Sequence, residues 1–162
     1  MSPSVLVFCS SSDQLSPLFH SEVKLLGTLL AQSSFKIIYG GTSLGLMGEM
    51  AKSALAQGGV VDGVVPESLN KPDQICPGLS EVHLVQDLLE RKGKMLEMAD
   101  AVLVCPGGLG TIDEFTDVLA MKQLGESQVP VLFLNYQDFW RPLLDYFSEL
   151  SFMKVISDDL DQ

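Results

Sequence analysis

Ala101-Val102-Leu103-Val104-Cys105-Pro106-Gly107-Gly108-Leu109-Gly110-Thr111-Ile112-Asp113-Glu114 is the stretch on which the fold turns. Five apolar residues in a row, closed by proline and glycine, have the length and composition of a strand buried on both faces. A helical pattern over about 111–124 follows the glycines. A strand that is apolar throughout needs cover on both sides, which a parallel sheet between two helix layers supplies.

Working outward, the same alternation recurs. Apolar runs at 5–9, 36–39, 60–65, 82–85 and 131–134 read as further strands. Helical patterns lie at 17–32, 46–57, 88–98 and 139–150, with Gly58-Gly59 and Gly125 where helices stop. There is no repeat, low-complexity stretch or linker. The expectation is one α/β domain over 1–162, a Rossmann-like, doubly wound parallel sheet flanked by helices. In such sheets a ligand sits beyond the carboxyl ends of the strands, so the loops after the first, second and fifth strands matter most.

Composition narrows the function. With 46% hydrophobic and 19% charged residues the chain reads as an ordinary globular domain. No apolar run approaches the roughly 20 residues of a membrane span, and the N-terminus lacks the cationic segment of a signal peptide. A net charge of −11 with ten basic residues argues against nucleic-acid binding. It leaves room for one small anion held by local backbone N–H groups. Three cysteines (Cys9, Cys76, Cys105) form no CxxC pair and leave an odd count, so a disulfide scaffold is not expected and a cytoplasmic location is. No His/Cys/carboxylate cluster has ligand spacing, so neither a metal nor another cofactor is expected.

Two nucleotide motifs are excluded. The first strand ends in Ser10-Ser11-Ser12 and lacks the dinucleotide fingerprint; the second loop spaces Gly40 and Gly45 like a P-loop, but Leu46 stands where its lysine must be. The third loop fits phosphate binding. Gly107, Gly108 and Gly110 let the backbone approach a ligand, and the helix beginning at Thr111 offers free N–H groups and a positive dipole end. The bland alternative is that Thr111-Ile112-Asp113-Glu114 is a capping box; three glycines behind a buried strand favour the ligand.

Pro106-Gly107-Gly108-Leu109-Gly110-Thr111-Ile112-Asp113-Glu114 resembles the PGGxGTxxE signature of the LOG (Lonely Guy) phosphoribohydrolases, a family often labelled lysine decarboxylases. Arg91-Lys92 with Met95 is similar to the family's RKxxM element, Tyr39-Gly40-Gly41 with Gly45-Leu46-Met47-Gly48 to its YGGxxxGLMG loop, and Phe8-Cys9-Ser10-Ser11-Ser12 to its FCGSS opening. The match runs in order over about residues 5–150. Ser10, Thr42 and Leu89 depart from the pattern, and the chain is shorter than many members. The resemblance implies hydrolysis of the N-glycosidic bond of a nucleoside 5′-monophosphate, a cytokinin riboside monophosphate or AMP, to free base and ribose 5-phosphate. It implies Arg91 and Glu114 as catalytic pair, Lys92, Gly107, Gly108, Gly110 and Thr111 as nucleotide-binding positions, and a homodimer. The rival readings are a molybdenum-cofactor carrier of similar fold and a nucleotide sensor, both binding without cleavage.

The residue chemistry agrees. Breaking an N-glycosidic bond builds positive charge on the ribose, which a carboxylate can stabilise while it orients or deprotonates a water. Glu114, one turn into the helix, is placed for that; Asp113 points about 100° away. Arg91 offers a fork for carboxylate or substrate, its alternative being a surface i,i+4 pair with Asp87. Lys92 is a ligand or a solvated charge. Ser11 and Ser12 donate to a ligand or simply form the turn. Met95 touches the base or fills the core. Trp140, Phe139, Leu143, Leu144 and Phe147 make an apolar helix face for packing or for a dimer.

Overall fold

The computed structural model describes residues 2–157. Six strands alternate with helices except between β3 and β4: β1 (Ser4–Phe8), α1 (Pro17–Gln32), β2 (Lys36–Tyr39), α2 (Gly45–Ala56), β3 (Val61–Pro66), β4 (Glu81–Val85), α3 (Leu88–Glu97), β5 (Ala101–Val104), α4 (Leu109–Gln123), β6 (Val131–Phe133) and α5 (Arg141–Phe152). All pair in parallel in one sheet of order β4-β3-β2-β1-β5-β6. The chain winds outward from β1 through β4, then crosses back to β5 on the other side of β1. That reversal puts the crevice of an open α/β sheet above the carboxyl ends of β1 and β5, as the glycine loop foretold.

Two apolar cores flank the sheet. On one face Val5, Val7, Ile37 and Val61 pack under α1 and α2, whose Val23, Met50, Ala51 and Ala54 are fully buried or nearly so. On the other, Leu6, Ile38, Val64, Val102 and Val104 pack under α3, α4 and α5. Trp140 joins this second core, 3% exposed, edge-on to Phe115, Phe133 and Phe139. Of the two readings of that apolar face, packing holds for Trp140.

The sequence pattern overshoots in one place. The run 82–85 reads as a strand covered on both sides, yet Val82 and Leu84 are 39% and 55% exposed. The connection from β3 to β4 contains only a 3-10 turn at Glu67–Leu69. Without a crossover helix, β4 has no cover on the face where α1 and α2 shield its neighbours. Residues 67–80 instead lean over the carboxyl ends of the strands, where Cys76 N donates to Gly41 O (2.9 Å) and Ser43 N to Gln74 O (2.8 Å).

Candidate active site

A cavity of about 470 Å³ opens above the carboxyl ends of β5, β1, β2 and β3, within the size range of small-molecule sites. Its walls come from four loops. Ser10 N donates to Pro106 O (3.1 Å), which ties the β1 loop to the β5 loop. Met47 N donates to Ser10 O (3.1 Å) and Gly45 N to Asp13 Oδ1 (3.0 Å), so the start of α2 is fastened to the same β1 loop. Gly45 has φ +56° and lies against the Ser11 carbonyl; a Cβ would fail both tests.

The start of α4 forms one end of the cavity. Its N-cap is Gly108, which offers no side chain, so the N–H groups of Leu109, Gly110 and Thr111 lack intrahelical acceptors. Gly108, Leu109, Gly110 and Thr111 all line the cavity. The helix begins two residues earlier than the sequence pattern suggested, and Thr111-x-x-Glu114 is therefore not a capping box. The sidechain-capped starts are elsewhere. Ser16 caps α1, and Asp87 caps α3 by accepting from Leu89 N and Glu90 N, both at 2.9 Å. With Asp87 so occupied, its surface pair with Arg91 does not form.

Arg91 instead turns inward. Its Nε donates to Val64 O (3.1 Å), and its Nη1 stands 3.8 Å from Glu114 Oε1. The guanidinium lies on Gly40, where a Cβ would overlap it. Both side chains are nearly enclosed, 11% and 13% exposed, and both line the cavity. Burial pushes the Glu114 carboxyl up to about 7, with Arg91 opposing the shift and Asp113 adding to it. A carboxyl poised near neutrality beside a fixed cation, facing a cavity that ends at a helix N-terminus, has the attributes of a general base. The nearby thiol is not a competitor: hydrogen bonding with Cys105 and burial hold Cys9 well above its ordinary range, in the inert thiol form.

The family model described as "Possible lysine decarboxylase" matches residues 47–161. A cytokinin riboside 5′-monophosphate phosphoribohydrolase of Rhodococcoides fascians is 40% identical over 88% of this chain and 73% of its own length. The chain belongs to the LOG family. Two probable cytokinin riboside 5′-monophosphate phosphoribohydrolases of Oryza sativa subsp. japonica are 35% and 37% identical over 90% of the chain, which spans 65% and 63% of their lengths. Among solved structures, a molybdenum cofactor carrier protein from Chlamydomonas reinhardtii superposes with TM-score 0.75 at 22% identity over 93% of this chain and 85% of that one. A molybdenum cofactor binding protein from Rippkaea orientalis gives 0.68 at 20%, over 92% and 86%. At that identity they share the fold.

In this LOG-family chain the motif residues divide by task. Arg91, Glu114, Gly108, Gly110, Thr111 and Ser11 meet in the cavity. Gly107 lies outside the lining: a Cβ there would overlap the Thr111 side chain, so it seats Thr111, which is 3% exposed. Lys92 also lies outside, held on the flank of α4 by Asp117 (2.6 Å) and Asp113 (3.2 Å), and these hydrogen bonds raise its pKa. Met95 is fully buried in the second core and does not reach the cavity. Sequence reasoning passed over Gly40 as a seat for Arg91, although a second strand ending in Gly-Gly beside an expected catalytic arginine was a usable sign. It also passed over Gln74 and Ile75, which line the cavity from the β3–β4 connection and carry no motif.

One His/carboxylate group does draw together among the described residues. Asp62, Glu81 and His83 gather at the amino ends of β3 and β4, far from the cavity end of the sheet. Lys36 Nζ lies 2.6 Å from Asp62 Oδ2, the oxygen that also faces His83 Nε2 at 3.1 Å. The ammonium already holds the place a cation would take.

Proposed function

We propose that this chain is a phosphoribohydrolase that cleaves the N-glycosidic bond of a nucleoside 5′-monophosphate, a cytokinin riboside monophosphate or AMP, to free base and ribose 5-phosphate. The observation that carries the reading is the enclosed Arg91–Glu114 pair midway along a cavity that ends at the uncapped start of α4. The phosphate rests on the N–H groups of Gly108–Thr111 and the positive end of the helix, with Ser11 beside it. The ribose then lies against Glu114. As the bond from C1′ to the base nitrogen breaks, its electron pair leaves with the base and the ribose becomes cationic. Glu114 stabilises that charge and takes a proton from the water whose oxygen bonds to C1′; the departing nitrogen is protonated by solvent, and Glu114 returns its proton to solvent, so that one water is consumed. Arg91, fixed by Val64 O, holds Glu114 in register and keeps part of it ionised at neutral pH. Lys92 acts from outside, through its pairs with α4, and Met95 supports the second core beneath α3.

The chain acts as a homodimer in this reading. Leu109 and Leu89 are 86% and 75% exposed, and Leu109 lines the cavity, an apolar cost that a second copy covers. Light scattering is expected to give twice the 17.6 kDa chain mass; a clean monomer at micromolar concentration removes this part. Its three free, buried cysteines suit a reducing cytoplasm. The decisive experiment is incubation with AMP and cytokinin riboside monophosphates while free base is followed by chromatography. Tight binding without base release would make the protein a carrier or sensor.

A further inference from the structure

The cavity has a direction. From α4 at the top of β5, past Ser11 at β1 and Gly40 at β2, to residues 67–76 above β3, it crosses three strand spacings, about 14 Å. That is room for a phosphate, a pentose and a bicyclic base in a row. If the phosphate sits at α4 and the pentose at Glu114, the base reaches the β3 end. There the walls are Val65, Leu69 and Ile75, apolar and suited to the faces of a ring.

One amide breaks that apolar wall. Gln74 lines the cavity, and its side chain makes no hydrogen bond among the described residues. Its backbone, by contrast, is pinned. Gln74 O accepts from Ser43 N (2.8 Å) and from Thr42 Oγ1 (3.3 Å), and Gln74 N donates to Lys71 O (2.9 Å). The neighbouring Ile75 bridges Thr42, and Tyr39 Oη donates to Thr42 O (3.0 Å), fastening that segment to the end of β2. The Thr42 hydroxyl is spent within this lattice, since it also accepts from Leu44 N (3.2 Å). Gln74 is thus a free donor–acceptor pair on a fixed stem, at the end of the cavity where the edge of the base must lie.

We propose that Gln74 is the residue that reads the base, its amide setting the discrimination between a 6-amino and a 6-oxo purine in this cavity. This rests on the reading of the cavity as a nucleoside monophosphate site. The Gln74 carbonyl accepts from the exocyclic amine while its NH₂ donates to the adjacent ring nitrogen, the bidentate match of glutamine to adenine. An N6-alkyl group leaves one N–H for the same contact. On this N6/N7 edge a 6-oxo base presents two acceptors, O6 and N7, so the Gln74 NH₂ still finds a partner but its carbonyl finds no donor, a mismatch that polar sites reject.

The test is the affinity of the full chain for AMP and for inosine 5′-monophosphate, by calorimetry, with base release followed in parallel, for wild type, Gln74→Leu and Gln74→Met. Wild type is expected to favour AMP by roughly 5- to 150-fold. Both variants, melting as wild type does, should lose most of that preference, AMP weakening while inosine monophosphate does not. Equal affinities in wild type, or an unchanged ratio in folded variants, would overturn the assignment of Gln74. Wild type that prefers AMP through Gln74 yet releases no base sinks the hydrolase reading alone. Failure to bind either nucleotide sinks both.

Discussion

At the scale of single residues, Glu114 and Arg91 are one device. The charge on Glu114 is costly in its enclosed setting, so its folded pKa of about 7 lies above the ordinary 4.5. The folded state therefore binds a proton more readily than the unfolded chain between those values, and stability falls as pH rises through that window. Glu114→Gln should fold, melt within a few degrees of wild type near pH 5, and gain on it as pH climbs to 8. The gain is bounded at about 3 kcal/mol. The same variant should release base at least about 100-fold more slowly while still binding AMP; retained turnover would sink the mechanism. In wild type, kcat/KM should rise with pH and level off above about 7. Arg91→Met removes the cation that opposes the shift, so its residual activity should rise only at more alkaline pH, and a profile that stays in place would contradict the coupling. Their meeting in one cavity was legible because two separated motifs pointed at one site. Met95 and Lys92 were not separable from them by sequence, since a motif marks positions without saying which way a helix turns them. Gly107 and Gly110 look alike in the string, yet only Gly107 has a side chain pressed against the place of its missing Cβ.

At the scale of elements, that contrast becomes a pair of experiments. At Gly110 an added Cβ meets nothing within 4 Å beyond its chain neighbours and the adjoining backbone of its own helix, and φ is not positive. Gly110→Ala should raise the melting temperature slightly, alanine being favoured over glycine in helices by up to about 1 kcal/mol. It should also weaken AMP binding by about tenfold or more, because Gly110 lines the cavity and in the proposed pose its new methyl group enters the space of the phosphate. Gly27 behaves differently. In the middle of α1 it lies against the Met50 carbonyl of α2, and Gly27→Ala should cost about 1–3 kcal/mol from overpacking, outweighing the propensity gain. Thermal melts of the two proteins, moving in opposite directions, would check the packing assigned here. Element ends were readable where capping chemistry was explicit. Ser16-Pro17 marks the first residue of α1, and the helix begins there. The start of α4 reads two residues late in the sequence because Gly107, Gly108 and Gly110 look like loop, whereas the helix begins bare after Gly108 and takes Leu109 and Gly110 into its first turn. The exposure of β4 was missed for a different reason. Its apolar run is that of a central strand, and the only warning was a connection over 67–80 without helical periodicity.

At the scale of the whole molecule, a chain of net charge −11 takes an anionic substrate in this reading. Local N–H groups bind the phosphate, but the long-range field repels it on approach. Added salt shortens the reach of that field to about 10 Å at 0.1 M. Raising ionic strength from low to physiological should therefore increase kcat/KM for AMP by a factor of order two. Sites walled by lysine and arginine behave in the opposite way, and a steep loss of activity with salt would show that the cavity draws its ligand in by net positive charge.

The connection over 67–80 leaves β4 bare on one face, and it also bears on how such a protein diverges. It supplies Leu69, Gln74 and Ile75 to one end of the cavity but neither Arg91 nor Glu114, and it gives the first core only Cys76 and Leu79. Lengthening a loop is inexpensive, roughly 0.6 kcal/mol for each doubling. Changes at its exposed turn over Lys71–Asp73 can thus reshape one end of the cavity while Arg91 and Glu114 stay in place, so that choice of base is open to alteration separately from the proposed chemistry.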